Sequence, residues 1–203
     1  MIRLASLFFC LAIAGPAFAQ ANHSLELLKQ DNVGIVTRYL LQDPNGRSVT
    51  SEEFIGRYQL IAFGYTYCPD ICPTTLTEMA AVLKLLDDKA ARLQPIFITV
   101  DPERDTGPVL KTYTEFFDHR ILGLTGSPAL VRRAADNFKI RYAKVREPGV
   151  TNKNYAVDHS AGMILLGPDG EFIKKFAFTL PVEEIAAQIK AFMNVHQPTE
   201  PPQ

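Results

Sequence analysis

The sequence predicts an α/β domain: a mixed central sheet with flanking helices and a β-hairpin insertion. Three observations predict it. Residues 59–65 and 94–100 are apolar runs suited to buried central strands, and between them apolar residues recur at helical spacing. A turn signal, Gly167-Pro168-Asp169-Gly170, joins two further strand-like segments. Residues 181–193 then form a closing helix. A β-α-β unit followed by a hairpin and a last helix buries its apolar faces as a sheet with helices on both sides.

The elements follow in order. Residues 35–41 read as a strand, ended by the turn Asp43-Pro44-Asn45-Gly46. After the strand over 59–65, Pro73 opens a helix, because its missing N–H would be unpaired there anyway. Leu76, Met79, Ala80, Leu83 and Leu86 mark the buried face of that helix. The second central strand, 94–100, is followed by a helix through 109–117 and a short extended piece at 122–124. Ser127-Pro128 starts another helix, with Ser127 as its N-cap. Residues 141–145 are extended, and 163–166 and 171–176 flank the hairpin turn. No repeat or internal linker interrupts this pattern.

The ends of the 203-residue chain read differently. Arg3 is a positive start, residues 4–13 are apolar but short for a bilayer, and Ala17-Phe18-Ala19 is a cleavage site. Residues 1–19 are therefore expected to be a signal peptide, discarded together with Cys10, with export to a periplasm. Residues 20–32 are expected to be loosely ordered, 33–196 to be the domain, and the Pro-rich tail 197–203 to be disordered. There are 21 basic and 22 acidic residues; losing Arg3 leaves 20 against 22, a net charge of −2. That balance gives no reason to expect nucleic acid, and no later segment is apolar for long enough to span a membrane.

The mature chain keeps two cysteines, in Thr66-Tyr67-Cys68-Pro69-Asp70-Ile71-Cys72-Pro73. In a helical turn, positions i and i+4 share one face. Two thiolates so placed can grip a soft metal ion or close as a disulfide. A domain of this length folds without a staple, and so small a loop would add little stability, so the pair points to chemistry. It also follows the first central strand, where open α/β sheets place their sites.

A copper site needs a ligand beyond two sulfurs, and neutral imidazole is the natural third. His23 and His196 fall near the ends, and His119 sits between Asp118 and Arg120 at a helix end, where an exposed histidine is ordinary. His159, in Tyr155-Ala156-Val157-Asp158-His159-Ser160, precedes an apolar strand and can lie at the same end of the sheet as the cysteines. Asp158 is expected to orient its imidazole. In Thr99-Val100-Asp101-Pro102-Glu103-Arg104-Asp105-Thr106, Asp101 is expected to balance cationic charge or hold the loop, and Asp105 to help cap the next helix.

The run Phe63-Gly64-Tyr65-Thr66, Cys68-Pro69-Asp70-Ile71-Cys72-Pro73-Thr74-Thr75-Leu76 resembles the signature of the Sco/SenC family of copper-delivery proteins. So do Val100-Asp101-Pro102-Glu103-Arg104-Asp105-Thr106, Gly123-Leu124-Thr125-Gly126 and Val157-Asp158-His159-Ser160, in the same order. The resemblance implies a thioredoxin-like fold and one copper ion, Cu(I) or Cu(II), on Cys68, Cys72 and His159, with Asp101 nearby. It implies a metallochaperone whose partner is the copper A subunit of cytochrome c oxidase or another periplasmic copper protein. It also leaves room for Cys68 and Cys72 to act as a redox-active pair served by a thiol reductant partner. A thiol–disulfide oxidoreductase, a peroxidase and a copper or redox sensor module stand as the competing readings; against the first, C-x-x-x-C is not the usual C-x-x-C of thioredoxins.

Overall fold

A computed structural model of the chain describes residues 34–145 and 155–195. The expected signal segment, residues 20–32, the tail, His23 and His196 lie outside the described residues. Nine strands and four α-helices are described. The strands are β1 (Leu40–Gln42), β2 (Ser48–Thr50), β3 (Tyr58–Gly64), β4 (Leu93–Thr99), β5 (Leu122–Leu124), β6 (Tyr142–Val145), β7 (Ala156–His159), β8 (Met163–Leu166) and β9 (Phe172–Phe176). The helices are α1 (Ile71–Leu86), α2 (Gly107–Phe117), α3 (Pro128–Asn137) and α4 (Val182–Val195).

The central sheet has the order β5-β4-β3-β8-β9. β3 runs parallel to β4, and β4 to β5, while β8 and β9 are antiparallel. The sheet is therefore mixed, as expected. All seven residues of β3 are buried, because both faces of this central strand are covered. On one face, the Tyr58 hydroxyl donates to the Phe192 carbonyl of α4 at 3.0 Å, and α4 packs against α1. On the other, the ring of Phe63 lies 5.6 Å from that of Phe138, just beyond α3.

Several elements depart from the sequence expectations. The first strand is confined to Leu40–Gln42, not 35–41. Upstream of it, the Val36 N–H donates to the Asn137 carbonyl and the Asn137 side chain donates to the Arg38 carbonyl. These backbone groups are thus satisfied by the end of α3 rather than by a strand ladder. Helix α1 begins at Ile71, which places Pro73 inside its first turn and makes Cys72 a helical residue. Helix α2 begins at Gly107 with Thr106 as N-cap, so Asp105 is not the cap. Ser127 does cap α3, accepting from the Leu130 N–H at 3.3 Å.

The hairpin expected at Gly167–Gly170 is present, but it is the edge of the central sheet rather than an insertion. The insertion is a separate antiparallel pair, β6–β7, in which His159 stands opposite Tyr142.

Candidate metal centre

The site forms where β3 hands over to α1. β3 ends at Gly64, the Cys68 N–H turns back to the Tyr65 carbonyl at 3.3 Å, and α1 starts three residues later. Cys72 lies in the first turn of α1 and is 2% exposed, whereas Cys68 is half-buried in the loop; both are free thiols. Gly64 permits this approach. A Cβ there would stand 2.7 Å from Cys72 Sγ and 2.7 Å from Phe97 Cε2, so a side chain would push the sulfur out of place.

His159 reaches the sulfurs from β7. Its Nε2 is 3.4 Å from Cys72 Sγ, and its ring meets the Tyr65 ring edge-on at 6.0 Å. Its Nδ1 lies 3.1 Å from the Ser160 carbonyl. Only an Nδ1–H satisfies that carbonyl, so Nε2 carries the lone pair and aims it at the sulfur. The partner on the far side of the ring is therefore the Ser160 backbone, not Asp158. Asp158 is exposed on the opposite side of β7, as strand alternation requires, and acts on the imidazole only through its charge.

The electrostatics match that tautomer. Burial pushes the Cys72 thiol well above its ordinary range, and the neighbouring Cys68 adds to the effect. Burial also lowers the His159 pKa below its usual 6.5, so the ring is neutral near pH 7. A neutral thiol beside a neutral imidazole gives an S–H···Nε2 contact. The positive end of α1 favours a thiolate, but at Cys72 desolvation outweighs it.

One ligand atom from each of Cys68, Cys72 and His159 lies within 4.8 Å of the other two. A single ion bound at about 2.0–2.3 Å to three ligands would hold their atoms about 3.5–4.0 Å apart. The three groups therefore close on one ion with shifts of up to about an ångström. Two sulfurs and an imidazole suit a soft or borderline metal and fall one short of a closed structural zinc site.

The acidic loop is divided between two tasks. Asp101, fully buried, pairs with the Arg104 guanidinium and accepts from the Tyr155 hydroxyl at 2.6 Å. Arg104 also donates to the Tyr155 carbonyl at 3.0 Å and lies 3.7 Å over the Tyr155 ring. Asp101 thus holds the start of β7, the strand that carries His159, rather than touching the sulfurs. Asp105 is also fully buried and binds Thr66 and Thr99. This role is invisible in a sequence that reads as a polar loop; the hydroxyls of Thr66, just after β3, and of Thr99, the last residue of β4, were the available signal. His119 is exposed beside Asp118, 3.8 Å away, and takes no part.

A family model described as SCO1/SenC matches residues 29–194. The chain belongs to the SCO1/SenC family. The "SCO2-like protein" of Rickettsia felis is 35% identical over 190 residues, covering 94% of this chain and 91% of that protein. The structure of Bradyrhizobium japonicum ScoI with copper bound is 38% identical with a TM-score of 0.71, covering 78% of this chain and 99% of ScoI. Yeast Sco1 with copper bound is 32% identical with a TM-score of 0.74, covering 82% of this chain and 92% of the yeast one. The thioredoxin-like α/β fold expected of a Sco protein is the one observed. Among the described residues, no helix of this SCO1/SenC chain is long and apolar enough to cross a membrane.

Proposed function

We propose that this protein is an exported copper metallochaperone. It holds one copper ion on Cys68, Cys72 and His159 and delivers it to, or prepares, the copper A site of cytochrome c oxidase. The observation that carries the reading is the convergence of two thiols and one lone-pair-bearing imidazole within 4.8 Å. Copper in two structures that are 38% and 32% identical supports the choice of metal.

The chemistry follows from the donors. Thiolates favour Cu(I), and the imidazole lets the same site tolerate Cu(II). Cys72 must release its proton to bind, whereas His159 is already neutral. Cys68 is the more exposed sulfur, with Tyr67 beside it 65% exposed, so an acceptor's thiolate enters on the Cys68 side and Cys72 lets go last. Cleavage after Ala19 would leave the domain free in the periplasm, where a disulfide between Cys68 and Cys72 would block the site until a thiol reductant reopens it.

The test is a Cu(I) titration of the reduced mature protein against a competing chelator, repeated after oxidation. One-to-one binding that vanishes on oxidation, and is absent from Cys68→Ala and Cys72→Ala, is the expected result. Weak binding with ready disulfide exchange would replace this reading by thiol reduction of a copper-accepting partner. The half-exposed Cys68 above a buried Cys72 suits that second chemistry as well.

A further inference from the structure

Asp105 is fully buried, and its carboxylate faces the cysteine loop rather than solvent. One oxygen accepts from the Thr66 hydroxyl at 2.6 Å. The other accepts from the Thr66 N–H at 3.0 Å and from the Thr99 hydroxyl at 2.7 Å. Its own N–H donates to the Asp101 carbonyl, and its carbonyl accepts from the Thr125 hydroxyl at 3.0 Å. The residue therefore ties together the ends of β3 and β4 and the turn after β5. Thr66 is two residues before Cys68, and its neighbour Tyr65 supplies the carbonyl that turns the Cys68 N–H.

The bonds to the carboxylate come from neutral hydroxyls and a backbone amide, so they orient the charge without cancelling it. The guanidinium of Arg104 is engaged with the other acid, Asp101. The field of the Asp105 carboxylate reaches both the Cys72 thiol and the hydroxyl of Tyr113, whose oxygen is buried. A fixed buried charge is weakly screened and acts most strongly on a site whose own charge changes.

We propose that Asp105 is a positioning residue for the metal centre: it fixes Thr66, and so the approach of Cys68, and its buried negative charge favours Cu(II) over Cu(I) on the same ligands. The second half rests on the copper reading; the first does not. Two sulfurs, an imidazole and Cu(II) carry one more positive charge than the same set with Cu(I). Asp105 therefore stabilises the oxidised ion relative to the reduced one, which opposes the softness of the two thiolates.

Asp105→Asn removes the charge but keeps an oxygen for the Thr66 N–H. Asp105→Ala removes both. In the copper-free reduced protein, exchange of the Thr66 amide with solvent reads the clamp. It should stay slow in Asp105→Asn and accelerate at least tenfold in Asp105→Ala, with global unfolding followed separately. In the loaded protein, the ratio of Cu(II) to Cu(I) affinity should fall about tenfold in Asp105→Asn, a rise of about 59 mV in the one-electron potential. An unchanged ratio in a folded Asp105→Asn variant overturns the charge role, and an unchanged Thr66 amide in Asp105→Ala overturns the clamp. If Asp105→Ala does not fold, fast Thr66 exchange in Asp105→Asn alone would overturn the clamp, and slow exchange there supports it. If the wild-type chain binds neither ion, the copper reading falls and the charge role with it, while the amide arm still decides the clamp.

Discussion

At the scale of single residues, the centre is poised by desolvation. Cys72 is buried against Gly64 and Phe97, so its thiol keeps its proton well beyond the ordinary range, while burial holds His159 neutral. Copper bound at Cys72 would displace the thiol proton, and each displaced proton makes affinity rise by about one decade per pH unit. Cu(I) affinity is therefore expected to climb by at least that slope between about pH 6 and 8, measured against a chelator of known pH dependence. The sign follows from the direction of the shift: a raised thiol pKa leaves the proton to be displaced throughout that window. His159, with its pKa lowered, adds steepness only on the acid side, below its usual 6.5. A flat profile would mean that Cys72 is not a ligand.

At the scale of elements, the site is the meeting of a helix start with a strand from an inserted pair. β7 is held at its first turn of chain by Tyr155, whose hydroxyl donates to Asp101 and whose carbonyl accepts from Arg104. Tyr155→Phe removes one donor from a fully buried carboxylate, at a cost of about 1–3 kcal/mol. We expect denaturant unfolding at lower concentration together with weaker Cu(II) binding, because the strand carrying His159 loses its anchor. Full stability with unchanged Cu(II) affinity would show that β7 is positioned by its pairing with β6 instead.

The same elements mark what a sequence can convey. The spacing of Cys68 and Cys72 and the apolar runs of β3 and β4 are local patterns, so fold class and thiol pair were legible. His159 is 87 residues from Cys72, and it was singled out by its place before an apolar strand at the same end of the sheet and then by the resemblance, not by spacing. Two features had no local signature. A backbone carbonyl, that of Ser160, orients the imidazole in place of Asp158. Asp105, which reads as a solvated helix cap, is buried only because β3, β4 and β5 bring Thr66, Thr99 and Thr125 around it.

At the scale of the whole molecule, copper should act as a tertiary cross-link. The unfolded chain keeps Cys68 and Cys72 four residues apart and so retains much of a two-thiol clamp. It does not retain His159, which only the fold delivers. Binding to the folded state alone contributes about 2.7 kcal/mol at a free ligand concentration one hundred times Kd, and affinity for the unfolded chain subtracts from that. For a domain of this size, each kcal/mol moves Tm by about 2–4 °C. Reduced protein is therefore expected to melt several degrees higher with saturating Cu(II), for which the imidazole matters most, and less so with Cu(I), which the two thiols hold in either state. His159→Ala should lose most of the Cu(II) shift and little of the Cu(I) shift in the same scanning calorimetry series. Equal shifts in wild type and His159→Ala for both ions would mean that the histidine makes no bond to the metal, leaving a two-sulfur site whose affinity owes nothing to the fold of β7.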